Sequence, residues 1–123
     1  MVPNFKISVR PEYLKDQSLP AQRNFVFAYT VRIENHSEKT AQLIDRHWII
    51  TDGEGRVQEV TGDGVIGLQP HIKPGQHFEY SSFCPLPTGT GSMSGSYGML
   101  GDEGDKFRID VPLFFFVEPG SFN

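Results

Sequence analysis

In "NFVFAYTVRIEN", residues 24 to 35, apolar side chains occupy every odd position from Phe25 to Ile33, with Thr30 and Arg32 between them. Period two marks a strand with one buried face. The same alternation runs through Phe5, Ile7 and Val9, and through Ile44, Trp48 and Ile50, which share a face with Arg46 between them. Gly53-Glu54-Gly55 reads as a turn into a short strand, "RVQEV". Further alternation puts Phe78, Tyr80, Ser82 and Cys84 on one side, then Met93, Tyr97 and Met99. The last run places Phe107, Ile109, Val111, Leu113, Phe115 and Val117 on one face, with Phe114 and Phe116 opposite. Pro112 interrupts that run, so a bulge or an edge strand is expected there.

Seven to eight short strands separated by turn signals predict an all-β, antiparallel β-sandwich or barrel. Residues 10 to 20 are left as one helical turn or a loop. No linker or repeat divides the chain, so residues 1–123 are expected to form a single domain.

Composition narrows the function. The 123 residues carry a formal charge of −4 and no basic run, which argues against nucleic acid or an anionic membrane as partner. Cys84 is the sole cysteine, so no internal disulfide forms and a reducing cytoplasm fits. The start of the chain lacks the apolar stretch of a signal peptide, and no window has the ~18 apolar residues of a membrane span.

"VTGDGVIGLQP" contains Gly62, Gly64 and Gly67 in the spacing G-x-G-x-x-G. The dinucleotide version needs a strand before it and a helix after it. Here Pro70, Pro74 and Gly75 follow, so no helix of useful length starts at Gly67, and no lysine completes a phosphate loop. The glycines are expected to serve a sharp reversal through unusual φ angles. An anion nest of backbone N–H groups is the alternative, with Arg46 as the side chain that meets the anion.

Residues 46 to 99, "RHWIITDGEGRVQEVTGDGVIGLQPHIKPGQHFEYSSFCPLPTGTGSMSGSYGM", carry a longer pattern: RHWxIxD, then GxGVxGxQPxxxPGxxFxYxSxCPL, then GSYxM. This stretch resembles the core of the bacterial ApaG family. The resemblance implies an immunoglobulin/fibronectin type III-like β-sandwich of seven to eight strands. It implies a non-enzymatic role, since no catalytic activity is established for the family. Related domains in eukaryotic F-box proteins and in a DNA-polymerase-interacting protein are thought to make protein–protein contacts. In bacteria the gene often neighbours that of diadenosine tetraphosphate hydrolase, and the name is tied to cobalt resistance and magnesium efflux.

The remaining candidates are weighed on their chemistry. Cys84 sits in an apolar run before a proline, where an inert, partly buried thiol is expected rather than a nucleophile. His36, His47, His71 and His77 are scattered. His77 and Glu79 share a face with His71 upstream, but no metal-binding spacing is present, so no metal and no cofactor are expected. Trp48 is expected in the core. Gly89 to Gly104 is glycine-rich, with Met93, Tyr97 and Met99 between, and suits either close approach of a partner strand or tight packing under bulky neighbours such as Phe114 and Phe116. With both faces of the last strand apolar, the strand is either buried on both sides or exposes Phe114 and Phe116 as a patch for self-association, which would give a homodimer. The expected function is therefore an interaction module with an unidentified protein partner, and the alternative is a polyphosphate or nucleotide binder acting through residues 62–67.

Overall fold

A computed structural model describes residues 4–120. These form eight strands: β1 (Phe5–Tyr13), β2 (Phe25–Asn35), β3 (Ala41–Asp52), β4 (Val57–Asp63), β5 (His71–Ile72), β6 (His77–Leu86), β7 (Thr90–Gly101) and β8 (Lys106–Val117). Residues Lys15–Gln17 and Pro20–Gln22 make single 3-10 turns between β1 and β2. One sheet has the order β1-β2-β6; the other has β4-β3-β7-β8, with β5 also paired to β3. All pairings are antiparallel. The two sheets form an immunoglobulin/fibronectin type III-like sandwich: of the sandwich or barrel the alternation allowed, the sandwich is found, in the form the ApaG resemblance implied.

The core lies between the sheets and is rich in rings. Phe27 of β2 meets Phe116 of β8 with centroids 4.9 Å apart, and Tyr29 meets the edge of Trp48 at 5.7 Å. The buried hydroxyls of Tyr80 and Tyr97 join across the sheets at 2.6 Å. Trp48 is buried as expected, stacked edge-on against Tyr97 and Phe114.

Proline placement follows from the missing N–H. Pro11, Pro85 and Pro112 lie inside β1, β6 and β8, each an outer strand of its sheet, where one lost ladder bond is tolerated. Pro112 does more. Between Met93 and Gly95 on β7 the partners on β8 step from Phe114 to Val111, so β8 contains an extra residue. That bulge reverses the side-chain alternation.

The single-face reading of the last strand is corrected accordingly. Phe107, Ile109 and Val111 face inward, but Leu113, Phe115 and Val117 face solvent, while Phe114 and Phe116 are buried. A second bulge between Leu43 and Asp45 on β3 has a similar effect. Leu43, rather than Ile44, joins the core face with Arg46, Trp48 and Ile50.

Asn35 was not visible in the periodicity. It is buried at the end of β2, and its Nδ2 donates to the carbonyls of Lys39 and Ile72, both at 2.8 Å. Its Oδ1 accepts from the Ser37 amide at 2.8 Å and hydroxyl at 2.6 Å. One side chain thereby ties the β2–β3 connection to β5.

Candidate functional site

The glycine loop follows β4 and is built from the β3 bulge outward. Because Ile44 is the extra residue of that bulge, its carbonyl is turned out of the ladder. It accepts the Gly64 amide at 2.7 Å and the Gln69 Nε2 at 2.9 Å. Val65 and Leu68 then exchange both backbone hydrogen bonds at 2.9 Å, closing a two-residue hairpin turn. Its central residues, Ile66 (φ 44°) and Gly67 (φ 79°), are both left-handed, the conformation of a type I′ turn.

Each glycine has a separate physical reason. Gly62 pairs with Arg46, and a Cβ there would lie 2.8 Å from the guanidinium. Its absence lets Arg46 reach over the strand, and Nη1 donates to the carbonyls of Asp63 at 3.0 Å and Gly64 at 2.9 Å. At Gly64 (φ 63°) a Cβ would lie 2.3 Å from the Leu68 carbonyl oxygen. Gly67 has open space around it and is needed for its backbone angle alone.

Ile66 is the exception. A β-branched residue in the left-handed region costs roughly 1–2 kcal/mol. Its side chain is 57% exposed, and Leu68 beside it is 49% exposed, while Val65 is buried beneath them as an anchor. The loop thus holds two apolar side chains in water on a braced backbone, one of them against a conformational penalty.

The expected anion-nest residues are therefore partly assembled. Arg46, Gly62 and Gly64 meet, and Gly67 stands at the tip. The amides of Gly64, Val65 and Leu68 are engaged with carbonyls, as is Nη1 of Arg46. Beside the loop, Arg108 pairs with Asp45 at 2.9 Å, leaving little net positive field.

The partner-binding candidates fall elsewhere than expected. Met93, Tyr97, Met99, Phe114 and Phe116 all point into the core, because β7 faces β6 across the sandwich and the Pro112 bulge turns the two phenylalanines inward. The glycine-rich strand β7 is central to its sheet, packed between β3 and β8. A Cβ at Gly95 would lie 2.0 Å from the His47 carbonyl oxygen, so the close approach it permits is intramolecular.

A family model described as the ApaG domain matches residues 15–101. The chain belongs to the ApaG family. It is 53% identical over 116 residues to Protein ApaG of Rhodospirillum centenum, covering 94% of this chain and 89% of that protein. Protein ApaG of Bordetella pertussis is 53% identical over 113 residues, covering 92% and 86%. The crystal structure of an ApaA protein from Bordetella pertussis superposes with a TM-score of 0.93 at 50% identity, covering 97% of each chain. A protein from Archaeoglobus fulgidus shares the fold alone, at a TM-score of 0.57 and 9% identity. The residues that carry the ApaG resemblance at Gly62, Gly64, Gly67 and Gln69 are those that build and brace the turn.

Catalytic and metal chemistry find few groups in this ApaG domain. Cys84 is buried, and burial pushes its thiol up to about 11, away from the thiolate a nucleophile needs. Burial also raises the phenols of Tyr80 and Tyr97 above their ordinary value. His36 lies 3.0 Å from Glu34, and His47 lies 3.3 Å from Glu59, both on outer faces. His77 and Glu79 sit on the outer face of β6, opposite Glu34 and Arg32, and His71 is on β5. Among the described residues no group of three His, Cys, Asp or Glu is placed to hold a metal. The Trp48 indole N–H is buried with no hydrogen-bond partner among the described residues, enclosed by aromatic rings. None of the described helices is long and apolar enough to cross a membrane.

Proposed function

We propose that this ApaG domain is a non-enzymatic protein-interaction module whose contact element is the turn Val65–Leu68. One observation carries the reading: Ile66 is held at φ 44° with its side chain in solvent. Backbone strain persists where surrounding structure over-determines it, and it clusters at functional elements. The braces from Arg46, Gln69 and the Ile44 carbonyl supply that over-determination. Ile66 and Leu68 would enter an apolar recess on a cytoplasmic partner with little ordering cost, since the turn is already in place. Any part in cobalt resistance or magnesium efflux runs indirectly, through that partner.

The alternative is a polyphosphate or nucleotide ligand at residues 62–67, favoured by the half-buried guanidinium of Arg46 beside the loop. An amide-shift titration with diadenosine tetraphosphate and ATP separates the two. The interaction reading expects no saturable shift at Gly62–Gly67, and sub-millimolar saturation there supports the ligand. In parallel, affinity capture from the native cytosol uses the wild type, Ile66→Asn and Leu68→Ser as baits. A protein retained by the wild type and lost from both variants supports the reading. Identical captures from all three overturn it.

A further inference from the structure

Apart from the two-residue β5, four strands lie at the outer edges of the sheets: β1 and β6 in one, β4 and β8 in the other. An edge strand presents unpaired N–H and C=O groups, and proline is a common way to blunt it. The Asn4 carbonyl accepts the His36 amide and the Val26 carbonyl accepts the Leu14 amide, so Pro11 stands on the outward row of β1. The Gln76 carbonyl accepts the Asn35 amide, which puts Pro85 on the outward row of β6. Pro112 sits in the β8 bulge. Of the four, β4 alone has neither proline nor bulge.

The pairing at its two ends shows which groups β4 leaves free. The amides of Asp52 and Gly64 donate to the carbonyls of Arg56 and Ile44, at 3.0 and 2.7 Å. With that parity Gln58, Val60 and Gly62 bond to β3, while the N–H and C=O groups of Val57, Glu59 and Thr61 point away from it. Among the described residues nothing pairs with them. Arg46 closes the far end by donating to the Asp63 carbonyl. No residue of β4 is buried, so the row is open to solvent.

We infer that the free edge of β4 takes up an extended segment of a partner protein as an added strand, one in which basic side chains alternate with apolar ones. A row of backbone donors and acceptors at strand spacing selects another extended backbone. The two faces of β4 then select its side chains. Glu59 and Asp63 share the outer face, and the Glu59 side chain is 65% exposed with His47 beside it. Bases on the added strand complement that row. On the inner face, exposed Gln58 and half-buried Val60 carry no charge and suit an apolar residue. A second copy of the chain fits worse. Pairing two β4 edges about a two-fold axis sets the two Glu59 side chains opposite or diagonal on one face, like charges on chains already at −4. The Ile66 turn lies outside this row, so the proposal and the reading of that turn stand or fall separately.

Selection of phage-displayed random peptides about ten residues long on the full chain tests it, followed by titration of the synthesised winners. The enriched peptides should alternate Lys or Arg with apolar residues and shift the amides of Val57, Glu59 and Thr61. Thr61→Pro removes an outward N–H without touching the β3 ladder, and it should weaken binding at least about tenfold. Glu59→Lys should do the same and turn a fresh selection toward acidic peptides. Ile66→Asn should leave binding within about twofold. Circular dichroism checks the fold of Thr61→Pro; should that variant unfold, Glu59→Lys at its exposed position decides. No enrichment, binding that survives either edge variant in folded form, or peptides lost only with Ile66→Asn overturns the proposal.

Discussion

Two of the regions that present large apolar side chains to solvent, the end of β8 and the Val65–Leu68 turn, do so by different means. On β8, Leu113 and Phe115 are outside because the Pro112 bulge reversed the alternation; the strand itself is relaxed. At the Val65–Leu68 turn, Ile66 is outside on a backbone that a β-branched residue disfavours. The first exposure follows from register and carries no local penalty. The second is maintained by Arg46, Gln69 and a bulge carbonyl against one. Exposure on β8 follows from register alone, whereas exposure of Ile66 is held by bracing, the feature on which the interaction proposal rests.

The largest expected effect comes from reversing the β8 assignment. Phe116→Ala should cost roughly 3–5 kcal/mol in urea unfolding. Phe115→Ala, one residue away, should change stability by about 0.5 kcal/mol or less at concentrations where the chain is monomeric. Equal costs would break the parity argument. Next is the bracing of the turn. Gly64→Ala adds a Cβ 2.3 Å from the Leu68 oxygen at φ 63° and should cost about 2 kcal/mol or more. Gly67→Ala, with open space around it, should cost only about 1 kcal/mol.

The core beneath both regions should respond to alkali. Burial raises the Cys84 thiol and the Tyr80 and Tyr97 phenols, so the folded chain keeps these groups neutral. A raised value contributes stability that is complete below the unfolded value and lost as pH climbs through the folded one. The unfolded thiol and phenols ionise near 8.5 and 10. Urea midpoints should therefore start to fall near pH 9 as these groups begin to ionise in the unfolded chain, and keep falling toward pH 11, about where Cys84 would ionise in the folded state.

Strain relief is smaller and opposite in sign. Ile66→Asn should raise stability by up to about 1 kcal/mol, because Asn tolerates the left-handed region, while removing the side chain proposed to contact a partner. Leu113→Thr, on relaxed backbone, should be the smallest change, within about 0.5 kcal/mol. A stabilised Ile66 variant beside a neutral Leu113 variant would confirm that, of these two regions, the turn is the one held against a penalty.

The sandwich was legible because β2, β6 and β7 obey strict period two, and the ApaG pattern at residues 46–99 agreed with it. Alternation failed where a bulge intervened. Pro112 announced one, but neither its extra residue nor the resulting exchange of Phe114 and Phe116 for Leu113 and Phe115 can be counted from spacing. The Ile44 bulge had no proline to announce it. The expected unusual φ angles hold at Gly64 and Gly67 but not at Gly62, which lies within β4 and makes room for Arg46. Positive φ at Gly64 and Gly67 is a glycine property, whereas positive φ at Ile66 is imposed by contacts distant in sequence. The role of Asn35 was not legible because its partners lie in the β2–β3 connection and, far along the chain, in β5.

The central claim is that the braced turn meets a protein. Its most direct measurement places a photo-crosslinking amino acid at Leu68 in the living cell, with a second at Ser81 on the outer face of the other sheet. The account predicts a discrete adduct of one added protein from position 68, absent from position 81 and lost when Ile66→Asn is introduced alongside. No adduct from position 68, or one that persists unchanged with Ile66→Asn, would contradict it.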